Sequence, residues 1–422
     1  MLDRRKVLAA AAGTALLRPG RARAADTTVT MMHVELNKDI AGFWNDLARR
    51  YESAHPGVKV DVRFMEAVSY VAKLTTMLQS SGRPNILYSW AGGDLRVQVK
   101  AGVLQDLTPR MSGAWADTFI PAALDAYTVD GRIYGAPTQV SDVGIFYNKD
   151  IFTRTGLDGE AIRTWDDLLA AVGTLKAAGV TPFLEGGQDK WPLNEFWSML
   201  AMRVGGRQAF RDALAGRGEG FADPAFVRAG DLFRQLADAG AFAPGFRAVT
   251  YAQSAGQFGN GRGAMMLMLN GLLGVMRANA TDGVGIPAEK LGWFPFPAVP
   301  GGQGSPADTL GGINGWIVTA GSPPEAADFL RFFTSSDNQR EAASRGFYIP
   351  AANGTQDAVQ NPLLRRLAEQ VRASPYHQNF YDKELGPSVG ATLNDVSTSL
   401  AAREMTGREA ARAVQDAWQA GN

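Results

Sequence analysis

Apolar residues recur along the chain with two alternating periods. Residues 28–36 alternate weakly, as a strand does, and Phe43, Trp44, Leu47 and Tyr51 then share one helical face that His55-Pro56-Gly57 ends. Val58, Val60 and Val62 alternate again, and Val71, Leu74, Met77 and Leu78 return to helical spacing before Gly82. Residues 86–88 read as a short buried strand and 95–101 as a helix. Strand–helix alternation of this kind predicts an α/β fold, a parallel-type sheet with helices on both faces.

The pattern changes at residues 134–157. Gly135-Ala136-Pro137 interrupts the chain, because proline fixes φ and removes a backbone donor. A polar step (138–142) and an apolar strand-like run (143–147) follow, closing on Asn148-Lys149-Asp150. This reads as a chain leaving one lobe, crossing a gap and starting a strand in a second. Beyond it, Thr164 caps a helix with Trp165, Leu168, Leu169, Val172 and Leu175 on its apolar face, Asp167 at its third position and Gly179 as its stop. Residues 194–204 and 226–239 read as helices, and 263–269 and 292–297 as strands. A Gly-rich linker (301–306) precedes a strand at 311–319. Ser322-Pro323-Pro324-Glu325 has the form of a capping box opening a helix to 334. The remainder is mostly helical, ending in a helix capped by Thr406 and Glu409 with Ala410, Val414, Ala417 and Trp418 on one face.

The crossover, with TWDDLLAAVGTLKAAGVTPF at 164–183, resembles the extracellular solute-binding proteins of ABC importers, the carbohydrate-binding family that includes maltose-binding protein. Gly311–Thr319 with the helix after it, and Tyr348-Ile349-Pro350, resemble the family's second and third passages between lobes. The resemblance runs along nearly the whole chain. It implies a type II-like periplasmic-binding-protein fold, two lobes that are each a sheet flanked by helices and are joined by hinge crossovers. The lobes are expected at 25–138 plus 298–346 and at 139–297 plus 347–422.

Size agrees, since 422 residues are too many for one compact core. The first 24 residues read as an export leader. They hold Arg4-Arg5, an 11-residue weakly apolar run (7–17) too short to span a bilayer, and an Ala22-Arg23-Ala24 cleavage signal. Arg-Arg-Lys-Val-Leu resembles the twin-arginine route, with Asp3 where that motif usually carries Ser or Thr. The leader carries six bases against one acid, so the rest of the chain has 36 basic and 41 acidic side chains. That surplus argues against nucleic acid or an anionic membrane as partner. With no cysteine, disulfides, thiolate nucleophiles and a lipid anchor on an N-terminal Cys are excluded, and the expected location is the periplasm, as a monomer.

Catalytic motifs are sparse. His33, His55 and His377 have no metal-ligand spacing, and Gly259–Gly263 leads into a strand instead of from strand to helix as a phosphate loop must. No catalytic residue, metal or cofactor is assigned. The rival of another class is an exported glycoside-active enzyme, for which carboxylates such as Glu35, Asp94, Asp142 and Glu185 would have to lie about 5–9 Å apart.

Sugars present apolar CH faces and a rim of hydroxyls, so a binder needs aromatic rings beside carboxylates and amides on the loops that follow strands. Glu35 and Asn37 follow the first strand; Trp90 and Asp94 follow the third, with Gly92-Gly93 allowing close approach. In maltose-binding protein a sugar-contacting Trp and an acid occupy the segment corresponding to Trp90 and Asp94. By the same resemblance Ser141 and Asp142 face the ligand at the crossover, Glu185 and Trp191 in a second-lobe loop, and Asn270, Asn314 and Tyr348 complete the candidates; Tyr376 and Tyr381 are weaker ones. Leu272 and Leu273 stand where relatives place an aromatic ring, which puts that stacking contact in doubt. The implied function is the substrate-binding component of an ABC importer. Its lobes would close on a sugar or small oligosaccharide and deliver it to the membrane permease. An anionic ligand, a sugar acid or a glycerol phosphate, is the alternative within the same fold.

Overall fold

The computed structural model describes residues 27–111 and 113–421. The basic leader, with its twin arginines and cleavage signal, lies outside the described residues. The chain opens with β1 (Thr27–His33), α1 (Lys38–Ala54), β2 (Val58–Phe64), α2 (Ala67–Gln79), β3 (Ile86–Ser89) and α3 (Gly92–Lys100). It reaches the crossover in β4 (Gly135–Val140) and continues as β5 (Val143–Asn148). Helices α4 (Trp165–Ala177), α5 (Trp191–Leu214) and α6 (Pro224–Asp238) precede β6 (Met265–Leu269), α7 (Leu272–Asn279) and β7 (Leu291–Pro295). The return passes through β8 (Ile313–Val318), α8 (Pro324–Phe333) and β9 (Ile349–Pro350), and the chain ends with α9 (Tyr381–Glu384), α10 (Pro387–Ala401) and α11 (Gly407–Gly421).

Two sheets organise these elements. The larger has the order β9-β4-β8-β3-β1-β2, the smaller β6-β5-β7. Strand β1 is parallel to β2 and β3, as the alternation predicts. Strand β8 runs antiparallel to β3 and β4, and β9 antiparallel to β4, so the sheet is mixed. All pairs in the smaller sheet are antiparallel. The departure from an all-parallel sheet has a topological cause: β8 re-enters from the opposite lobe instead of following a right-handed βαβ crossover.

Each sheet has its own aromatic core. Beside the larger sheet, Trp44 meets Trp316 and Phe333 at ring-centroid distances of 5.1 and 6.0 Å. Beside the smaller one, Phe196 stacks on Phe233 at 5.2 Å, and Trp165 and Trp197 are fully buried. Trp197 and Trp316 are thus packing residues, at roughly 2–3 kcal/mol of apolar burial each. Thr164 and Asp167 form the expected reciprocal cap of α4. The box at 322–325 does not form. Pro323 is the N-cap of α8, and the Ser322 hydroxyl instead pairs with Thr319 Oγ1 and donates to the Asn85 carbonyl. Helix α5 starts at Trp191, earlier than the periodicity suggests, and runs through a break at Gly206, whose φ of 64° only glycine adopts readily.

Candidate functional site

A cavity of about 470 Å³ opens between the sheets, and six of the eleven expected ligand residues line it: Glu35, Trp90, Ser141, Trp191, Asn270 and Asn314. Local bonding explains several placements. After β1, the Glu35 backbone N–H donates to His33 Nδ1 (3.1 Å) and the Asn37 N–H to Glu35 Oε1 (2.7 Å). This self-bonded turn delivers the Glu35 side chain to the cleft and starts α1. After β3, Ala91 N–H donates to Ser89 Oγ, and Ala91 adopts a φ of 57°, which turns the chain sharply into α3 and sets Trp90 on the rim. Trp90 meets Tyr88 and Tyr70 edge-on, and the Lys383 ammonium lies 4.8 Å from its ring centroid. Across the cleft, Trp191 packs edge-on against Tyr251 at 5.1 Å.

Besides Glu35, two of the six already have internal partners. The Ser141 hydroxyl donates to the Gly312 carbonyl (3.1 Å) and accepts the Gly312 N–H (2.8 Å), lacing the outgoing and returning crossovers together. Asn270 Oδ1 accepts the Asp142 N–H at 3.0 Å. The Asn314 Oδ1, buried at the cleft, has no partner among the described residues.

The other five expected residues stand outside this lining, each for a physical reason. Asn37 caps α1, accepting the Asp39 N–H, and faces a second, polar hollow of about 150 Å³ beside Arg277 and Phe347. Asp94 occupies the first turn of α3, where a carboxylate suits the helix dipole; burial pushes it up to about 7 against the pull of Lys383. Asp142 is completely buried at the crossover, and desolvation holds its carboxyl well above the usual range although Arg203 pulls it down. Glu185 is buried as well, accepting the Leu267 N–H at 2.8 Å, with burial again raising its pKa. Tyr348 belongs to the core beside the larger sheet.

The sequence reading missed Glu195, Tyr88, Gln139, Asp382, Lys383 and Asn394, all of which line the cleft. Glu195 lies one helical turn beyond Trp191, so the (i, i+4) spacing would have found it once α5 was started at Trp191. Asp382 and Lys383 lie in the four-residue α9, which has no periodicity to read.

Electrostatically the cleft is a burial site for carboxyls. Glu35 is pushed up to about 7 by desolvation, with the Asn37 and Leu36 N–H groups opposing it, and Glu195 rises well above its usual value through burial and the neighbouring Asp382. Burial lowers Lys383, but Asp382, Asp94 and Glu195 outweigh that and hold its ammonium above the ordinary lysine value. His33 is lowered by burial to about 4 and is therefore a neutral acceptor for the Glu35 N–H. Among the described residues no group of His, Asp and Glu side chains is arranged to hold a metal. Flat rings beside hydrogen-bonding carboxyls and amides suit a ligand with apolar faces and a polar rim.

The bacterial extracellular solute-binding protein family matches residues 37–340. The chain is similar to an uncharacterised ABC transporter extracellular-binding protein of Pyrococcus horikoshii, with 26% identity over 60% of this chain and only 56% of that relative's length. It is 23% identical to the multiple sugar-binding protein of Streptococcus mutans over 81% of this chain and 80% of the relative. Among solved structures, one described under xylan utilisation by Caldanaerobius polysaccharolyticus superimposes with a TM-score of 0.84 at 25% identity, covering 92% of this chain and 99% of that one.

Proposed function

Because the chain belongs to the bacterial extracellular solute-binding proteins, we propose that it is the exported substrate-binding component of an ABC importer. It takes a sugar or small oligosaccharide between its two lobes, closes on it, and presents it to the membrane permease. The observation that carries this reading is the cleft itself. Its rings Tyr88, Trp90, Trp191 and Tyr251 alternate with the hydrogen-bonding groups of Glu35, Gln139, Asn270 and Asn314, drawn from both sides. The family membership and the sugar-binding relative support the same ligand class.

In this reading the first lobe comprises 25–138 and 298–346, the second 139–297 and 347–422, and the leader is removed near Ala24 to release a monomer. Glu35, Trp90, Trp191, Asn270 and Asn314 contact the ligand. Ser141 and Asp142 serve the hinge, Asn37 and Asp94 the helix starts beside the cleft, and Glu185 the seating of β6. The protein binds without turnover. Ligand bridges both lobes only when they close, so binding stabilises the closed state.

A thermal-shift screen of the mature chain against mono- and oligosaccharides, sugar acids and glycerol phosphates tests the proposal, since a tight ligand raises the melting temperature by mass action. A sugar without an anionic group should give the largest shift and be recovered intact by chromatography. A response confined to anions, or release of a cleaved product, would overturn it.

A further inference from the structure

We propose that the end of the cleft around Trp90, Glu195 and Asn394 receives an ammonium group, so that the preferred ligand is an amino sugar or an oligosaccharide containing one. The inference rests on the carbohydrate reading above and narrows its ligand class.

Charge balance is the first ground. Six carboxyls line the cleft, Glu35, Glu66, Asp189, Glu195, Asp382 and Asp395, against only two ammonium groups. Both lysines already have acidic partners, Lys190 with Asp395 at 2.6 Å and Lys383 with Asp382 at 3.3 Å. Glu66, Asp189 and Glu35 each accept backbone N–H groups, those of Val68 and Ser69, of Tyr251, and of Asn37. Glu195 is different. Its side chain is 2% exposed, and Oε2 has no hydrogen-bond partner among the described residues.

The second ground is the kind of atom left unsatisfied. Of the buried side-chain atoms that face the cleft without a partner, Glu195 Oε2, Asn314 Oδ1 and Asn394 Oδ1, every one is an acceptor. Buried acceptors without donors are costly, so the ligand must bring donors. An ammonium brings three N–H donors, no acceptor, and a second positive charge where Lys383 alone faces Asp382, Asp94 and Glu195; a hydroxyl brings one donor and no charge. A carboxylate or phosphate would bring only further acceptors and like charge. Third, the surroundings already hold a cation: the Lys383 ammonium lies 4.8 Å from the Trp90 ring centroid, and Asn394 Nδ2 donates to Asp382 at 3.4 Å, which leaves the Asn394 oxygen without a partner. Burial and Asp382 raise the Glu195 pKa against the pull of Lys383, a penalty that a further bound cation would relieve.

Three β-1,4-linked trisaccharides differing only at C2 test this by titration calorimetry: the glucosamine, N-acetylglucosamine and glucose compounds. The amine should bind tighter than the hydroxyl compound by on the order of tenfold, the worth of one charge-assisted hydrogen bond. Glu195→Gln should remove that margin. Should this variant fail to fold, Asn394→Asp supplies the converse test, because an added carboxylate should widen the margin. Equal or weaker binding of the amine, or a margin that survives Glu195→Gln, overturns the inference and leaves the carbohydrate reading standing. Silence from all three also overturns it. The wider sugar screen then decides the carbohydrate reading on its own.

Discussion

Glu35 and His33 are joined by one hydrogen bond and titrate in opposite senses. Glu35 holds its proton to about 7 when folded, against 4.5 as an ordinary carboxyl. The stability this contributes is complete below about pH 4.5 and is lost as pH rises toward 7. His33, lowered from 6.5 to about 4, contributes stability that is complete above 6.5 and lost as pH falls toward 4. Replacing Glu35 by Gln keeps an acceptor for the Asn37 N–H and removes only the titration. The ligand-free variant should therefore be more stable than the parent at pH 8 by on the order of 1–2 kcal/mol, allowing for water in the cleft, with the gap closing toward pH 5. Thermal denaturation at both pH values checks this, and identical melting at pH 8 would mean that ionised Glu35 is fully hydrated. At this scale the sequence was only partly legible. Trp90 and Asn314 could be placed because an aromatic ring just after a strand, or an amide early in a returning one, has few positions to occupy. Asp94, Asp142 and Glu185 could not be sorted, because a carboxylate beside glycines looks the same in sequence whether it faces a cleft or is buried behind it.

Among elements, what periodicity cannot show is how the crossovers are tied to the lobes. Arg203, on α5 and 1% exposed, donates from Nε and Nη2 to the Phe296 carbonyl (3.3 and 3.2 Å) and from Nη1 to that of Ser305 (3.1 Å). It thereby pins the Gly-rich linker, and it stands near the buried Asp142 and Asp308. In sequence Arg203 is one more polar residue near the end of a helical run, and only the backbone it meets reveals its role. Arg203→Met should destabilise by about 3 kcal/mol, because it strips donors from buried carbonyls and leaves Asp142 without its neighbouring cation. Arg203→Lys should recover only part of this, since an ammonium cannot reproduce the guanidinium fork. Urea denaturation measures both, and a loss below about 1 kcal/mol would imply that water reaches those carbonyls. The elements that were legible, β1 to α3 and the capped α4, are those whose own residues set period and cap. The antiparallel entry of β8 and the start of α8 at Pro324 were settled by tertiary partners, Trp316 against Trp44 and Ser322 against Asn85.

In the whole molecule, the two lobes meet on either side of the cavity at glycines. Gly93, at the start of α3, lies against the backbone of Glu384 and Gly386, and a Cβ there would overlap both. Gly274, in α7, lies against the Asn37 side chain with the same result. Arg96 reinforces the first contact, donating to the carbonyl and carboxylate of Glu384 at 2.9 Å. The two sites differ in what can yield, because Asn37 can swing aside and a backbone cannot. Gly93→Ala should therefore act as a wedge on closure itself. The closed state would lose on the order of 1–2 kcal/mol and the apparent dissociation constant would rise roughly tenfold, with the melting temperature of the ligand-free protein little changed. Gly274→Ala should weaken binding less. Gly173, an exposed position within α4 where a Cβ would meet no atom within 4 Å, supplies the control. Gly173→Ala should stabilise by roughly 0.5–1 kcal/mol through helix propensity alone and leave affinity untouched. Calorimetry with the best sugar from the screen, paired with small-angle scattering at saturation, separates the cases. Gly93→Ala should stay more extended than the parent when liganded, whereas equal affinity and equal compaction would mean that α3 does not approach α9 as the lobes close.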